Sequence, residues 1–305
     1  MVIANPIYDT VFKRLMENRR VARFFVETLI GEHIEEIAMM PKEYTYEKKA
    51  KKPEKKGQNE NETEEVEILS VIRYDFVATI RNADGENKKV LIEIQKSKKP
   101  ADLMRFRTYL GEQYKLQDVV EVATGKVEKA LPIISIYLLG FTIPKIKAQA
   151  IKVGRTYIDM IGQTEIKQKS SWIEALTHDG YFVQIPHVKG KPRTLLEKLL
   201  SIFEQQYFID DKNTIKDYEY PIDDDNVRVM IDLLRHAAAD AQTKREMQEA
   251  WWADKNEELW ENELKENKKM IEEKDKALAE KDKTLAEKEA EIEHLKALLI
   301  SKKND

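Results

Sequence analysis

Two carboxylates sit in unexpected places. Asp75 and Glu93 each lie inside a run of Ile, Val, Leu and Phe, within the stretch IRYDFVATIRNADGENKKVLIEIQK at residues 72–96. Strands disfavour such side chains, and burying a carboxylate without a partner is strongly unfavourable. A divalent cation is one partner that makes both tolerable. The period of a strand sends Glu93 and Gln95 to one face and Ile92 and Ile94 to the other, and Asp75 on the neighbouring strand can join the Glu93 face. A metal-dependent phosphodiesterase needs this kind of pair. Two carboxylates hold Mg²⁺, or Mn²⁺ in its place, through oxygen, and the backbone carbonyl of Ile94 offers another oxygen ligand. The metal polarises the scissile phosphate and lowers the pKa of a bound water, which attacks in line. The plain alternative is a pair of satisfied edge-strand charges on an ordinary hairpin.

The elements that must position these residues are legible around them. Residues 72–96 read as a hairpin whose turn falls at Asn82-Ala83-Asp84-Gly85, because glycine tolerates the positive φ of a tight turn. Before it, Asn5-Pro6 predicts a helix start. Phe12, Leu15, Met16, Ala22, Phe25, Val26 and Leu29 then form a helical stripe ending at Gly31, with Asn18 as a point where it splits. Residues 42–65 pass from a lysine-rich to an acidic half and read as a charged, disordered loop. Pro100 to Leu116 carries Leu103, Phe106, Leu110 and Tyr114 at helical spacing. The apolar run Leu131 to Phe141 predicts a central strand buried on both faces. Tyr181 to Ile185 predicts another strand, stopped by Pro186. Helices are expected from Pro192 and over residues 226–241. Just beyond the proposed ligands, Lys96, Lys98, Lys99, Arg105 and Arg107 either bind phosphates without sequence preference or form a solvated face. Lys96 points away from Glu93 if the strand stays regular.

From residue 243 the composition turns to Glu, Lys, Ala and Leu. Leu264, Ile271, Leu278, Leu285, Ile292 and Leu299 recur every seven residues, the period of a left-handed coiled coil. The companion apolar position is Lys or Asn until Leu295. The segment therefore reads either as a weak homo-oligomer contact through residues 264–300 or as a lone helix held by i,i+4 charge pairs.

The rest of the composition narrows the field. A chain of 305 residues with 42% hydrophobic residues accommodates one large domain, taken as 1–242, and an appendage, 243–305. Net charge is −4, so any nucleic-acid contact must come from a local patch. The absence of cysteine excludes thiol nucleophiles and disulfides and suits a cytoplasmic protein. No apolar run approaches the ~20 residues of a membrane helix, so no membrane partner is expected. The histidines are scattered, and neither a Walker A nor a GxGxxG loop is present.

Residues 5–30, 72–116 and 131–207 together resemble the PD-(D/E)XK nuclease family transposases, the group that includes the recombination-promoting nucleases. The resemblance is carried by Asp9, Phe12 and Lys13, by Tyr74-Asp75-Phe76, by Leu91-Ile92-Glu93-Ile94-Gln95, and by Arg107 with Tyr109. It implies an α/β fold with a restriction-endonuclease-like mixed β-sheet flanked by helices, Mg²⁺-dependent DNA cleavage, and Asp75 and Glu93 as metal ligands. Gln95 stands where the wider superfamily has Lys. It can orient a water or a phosphate oxygen but supplies no positive charge. Asp9 is either a third acid of the site or a helix N-terminal charge. The second reading is a catalytically degenerate module that binds DNA or protein and assembles through its C-terminal helix.

Overall fold

The computed structural model describes the backbone of residues 1–40, 43–50, 66–73, 76–96, 100–122 and 125–301. The chain divides into two units, Met1–Met247 and Gln248–Asp305. In order, the elements are β1 (Val2–Ala4), α1 (Asp9–Glu17), α2 (Arg19–Ile30), β2 (Ile34–Met39), β3 (Glu43–Ala50), β4 (Val66–Arg73), β5 (Phe76–Asn82) and β6 (Asn87–Gln95). They continue with α3 (Pro100–Lys115), β7 (Asp118–Val122), β8 (Gly125–Lys129), β9 (Ile133–Leu139), β10 (Ala150–Val153), β11 (Tyr157–Asp159), β12 (Thr164–Ile166) and α4 (Ser171–Leu176). The last are β13 (His178–Gln184), α5 (Leu195–Ser201), β14 (Ile215–Asp217), α6 (Asp225–Ala239) and α7 (Ala241–Ser301).

The first unit is a mixed α/β fold around a six-stranded sheet of order β10-β13-β9-β6-β5-β2. Its three middle strands, β13, β9 and β6, run parallel, and the outer pairings are antiparallel. Parallel neighbours need a long crossover; α3 with the β7–β8 hairpin supplies it between β6 and β9. As its apolar run predicts, β9 is central, and every residue in it except Tyr137 is buried.

The hairpin is β5 and β6, with Phe76 opposite Ile92 and Ile80 opposite Lys88. Asn82 closes the turn: its Oδ1 accepts from the Asp84 and Glu86 amides at 3.2 and 2.9 Å. Gly85 adopts φ 77°, a conformation that a residue with a Cβ enters only with strain. On one face of the sheet, Val77, Leu91 and Ile133 bury against Tyr109 and Leu110 of α3.

The opening helical stripe splits where Asn18 interrupts it. The Asn18 side chain accepts from the Val21 amide at 3.2 Å, capping α2, and Gly31 ends α2 at φ 71°. Phe12, Phe25 and Phe203 meet at centroid distances of 5.6 to 6.4 Å, within the range of favourable ring pairs.

Several expectations are corrected. Asn5 does not cap α1, which starts at Asp9 after Tyr8. It is instead buried, donating to Gln205 Oε1 and the Asn213 carbonyl. This ties the start of the chain to the segment before β14, where β1 pairs with β14. Both strands are three residues long, too short for a two-residue period to stand out. The helix expected from Pro192 starts at Leu195, because Thr194 and Glu197 form a reciprocal capping box. Part of the expected charged loop, Glu43–Ala50, is strand β3, paired antiparallel with β4; its remaining residues, 42 and 51–65, lie outside the described ones. Helix α7 runs 61 residues, and no described helix is long and apolar enough to cross a membrane.

Candidate functional site

Glu93 and Gln95 lie at the C-terminal end of β6, away from the hairpin turn, pointing to the α3 face, with 6% and 8% of their surfaces exposed. The parallel pairing sets Glu93 beside Tyr137 and Gln95 beside Leu139 of β9. Strands β6, β9 and β13 share a C-terminal edge, and ligands of open parallel sheets collect outside that edge. Beside Glu93 the wall is made by Ser135 and Tyr137 of β9 and by Phe106 and Tyr109 of α3. Tyr137 links two rings: Phe106 at 5.3 Å and, stacked at 17°, Phe182 at 5.0 Å. Burial pushes the Tyr137 phenol above its ordinary value, the Ser135 hydroxyl opposes this, and the charge of Glu93 adds to the rise. The phenol therefore stays protonated at neutral pH.

Arg105 of α3 donates from Nη2 to Gln95 Oε1. Its guanidinium also lies 5.3 and 5.9 Å from the Phe106 and Tyr109 ring centroids, within cation–π range. A positive charge thus stands against the Gln95 amide. Arg107 is exposed on α3.

Lys96 takes the other face, as strand alternation requires. Its Nζ sits 3.8 Å above the Tyr8 ring, which brings the N-terminus of α1 to the Gln95 end of β6. Asp9, next in sequence, ion-pairs with Lys13 one turn along α1 and carries the negative charge that a helix N-terminus favours. Ile94 is half-buried on the Lys96 face. Gly140 seals the edge: its amide donates to the Gln95 carbonyl at 2.7 Å, and a Cβ there would come within 2.3 Å of the Lys96 carbonyl oxygen.

Asp75, Lys98 and Lys99 lie outside the described residues. Among the described residues, no three Asp, Glu or His side chains group as a metal shell would.

Sequence reasoning missed Ser135 and Tyr137, although a signal was present. They are the polar members of an apolar run, two residues apart, and so share one strand face. It also missed Lys89, which lies on the Glu93 face with its Nζ 2.6 Å from Asp118 Oδ1. Compared with known protein families, curated proteins and solved structures, the chain matches none.

Proposed function

We propose that the protein is a metal-dependent DNA endonuclease of the PD-(D/E)XK transposase-family type, with a nuclease-like core formed by the β5–β6 hairpin, β9 and α3. The observation that carries the reading is Glu93: a buried carboxylate on a central strand, at the C-terminal edge of the parallel strands, with Gln95 and Arg105 joined beside it.

The proposed donor set is the carboxylates of Asp75 and Glu93 with the Ile94 carbonyl. It is all oxygen, and so suits Mg²⁺ or Mn²⁺ and not a soft metal. When bound, the ion would polarise the phosphodiester and acidify a water. The chain's own residues do the rest. Gln95 orients the nucleophilic water or a phosphate oxygen through its amide. Arg105 holds that amide in place and supplies the positive charge that Gln95 lacks. Tyr137 keeps the floor of the site dry on the β9 side. Lys96, Lys98, Lys99 and Arg107 would contact DNA phosphates beyond the reacting one, giving affinity without sequence choice.

The test is nicking of supercoiled plasmid with Mg²⁺ or Mn²⁺, comparing the natural protein with Asp75→Ala, Glu93→Ala and Glu93→Gln. Nicking that disappears in all three variants is the expected outcome. DNA binding without nicking by the natural protein would overturn the assignment and leave the binding-only module.

A further inference from the structure

The exposed stripe on α7 has a charge pattern that selects one kind of partner. Leu264, Ile271, Leu278, Leu285 and Ile292 are each between 51% and 61% exposed. Residues three and four positions beyond each of these flank it, one on either side of the stripe. On one flank stand Lys274, Lys281 and Lys288; on the other stand Asp275, Asp282 and Glu289. All six are exposed. Asn267 and Lys268 at the start and Leu295 and Lys296 at the end depart from the pattern.

Two such helices can meet stripe to stripe in two ways. In a parallel pair, the two-fold axis runs along the helices, and the left flank of one copy meets the right flank of the other. Lysine then faces acid at each of the three repeats. In an antiparallel pair the axis crosses the helices, so lysine faces lysine and acid faces acid. Flanking charges of this kind set orientation and partner choice in coiled coils, and like charges facing each other are unfavourable.

We propose that the partner of this stripe is a second copy of the same chain, paired parallel and in register over residues 264–292. The column is a single apolar residue per heptad, so the pair is weak and its direction is set by the flanks. Parallel pairing joins two copies with their residues 1–247 at the same end of the coil, so one assembly presents two candidate sites. The inference does not depend on the nuclease reading.

The chain contains no cysteine, so single thiols report unambiguously. Leu264→Cys and Ile292→Cys are prepared separately and oxidised with copper–phenanthroline. The two positions are about 40 Å apart along one helix. The expected result is a disulfide-linked dimer from each variant alone. Cross-linking only when the two variants are mixed would show the antiparallel pair, and a monomer by light scattering with no cross-link would show the lone helix; either overturns the proposal. A second measurement addresses the flanks. Reversing Lys274, Lys281 and Lys288 to Glu should weaken self-association at least about tenfold by sedimentation. Mixing with the chain carrying Asp275→Lys, Asp282→Lys and Glu289→Lys should restore association, and no change in either step overturns the charge argument. Nicking is not part of the readout, so an inactive enzyme that cross-links as expected leaves the inference standing.

Discussion

Lys89 and Asp118 form an ion pair in the interior, 2.6 Å apart, with 1% and 5% of their side chains exposed. The second oxygen of Asp118 accepts from the Leu131 amide at 3.2 Å, and the Lys89 amide donates to the Pro132 carbonyl at 2.9 Å. The pair thus fastens the start of β7 and the entry of β9 to the hairpin strand that carries Glu93. Removing one member strands the other charge out of water, whereas replacing both with apolar residues removes the desolvation cost. Lys89→Met is expected to destabilise the fold by about 3–5 kcal/mol, and Lys89→Met with Asp118→Leu to recover most of it. Urea unfolding followed by near-ultraviolet circular dichroism measures both; a mild single variant would refute the argument.

The contact between Arg105 and Gln95 makes a prediction about activity. If the guanidinium supplies the positive charge that Gln95 lacks in the proposed nuclease site, Arg105→Ala should lower plasmid nicking about 100-fold, the scale of losing one transition-state donor. Adding Gln95→Lys to that variant should restore part of the rate. Equal activity in both variants would assign Arg105 a packing role only.

Gln113 of α3 is 2% exposed, and neither of its side-chain polar atoms finds a hydrogen-bond partner among the described residues. A buried amide in that condition carries its desolvation penalty with no return. Gln113→Leu is expected to stabilise the fold by about 1–2 kcal/mol, read as a higher urea midpoint with an unchanged slope. A lower midpoint would mean that the amide is satisfied in solution.

Lys216 is buried 3% exposed on β14, and its Nζ donates to the Glu204 carbonyl. Burial lowers its pKa to about 8 from 10.5, against the opposing pull of the Glu204 charge. Above pH 8 the folded chain sheds a proton that the unfolded chain keeps until about 10.5, so folding gains stability as pH rises through that window. Relative to Lys216→Met, the natural protein should gain up to about 3 kcal/mol between pH 8 and 10.5, with a constant difference below pH 8. Parallel unfolding curves across this window would contradict the depressed pKa.

The elements around the hairpin were legible because their signals are local. Asp84-Gly85 marks the turn, Asn18 splits the first helix by offering a cap, and the apolar run at 131–141 is a strand buried on both faces. Lys89 was hidden for a physical reason. Beside Lys88 at a hairpin end it reads as a solvated charge, and only the distant Asp118, brought in by the α3 crossover, makes its burial tolerable. The β1–β14 pairing joins residues more than 200 apart in sequence, with nothing local to announce it. Of the candidate site, Glu93, Gln95 and the opposite facing of Lys96 followed from strand alternation. The link from Arg105 to Gln95 did not, because it depends on how α3 lies across the sheet.

The Gly140 amide and the Gln95 carbonyl join the ends of β9 and β6 with no space for a side chain between them. Load on one strand end is therefore carried straight into the other. A pull at Lys96 would reach β9 as well as β6, and the edge would respond as one stiff lip.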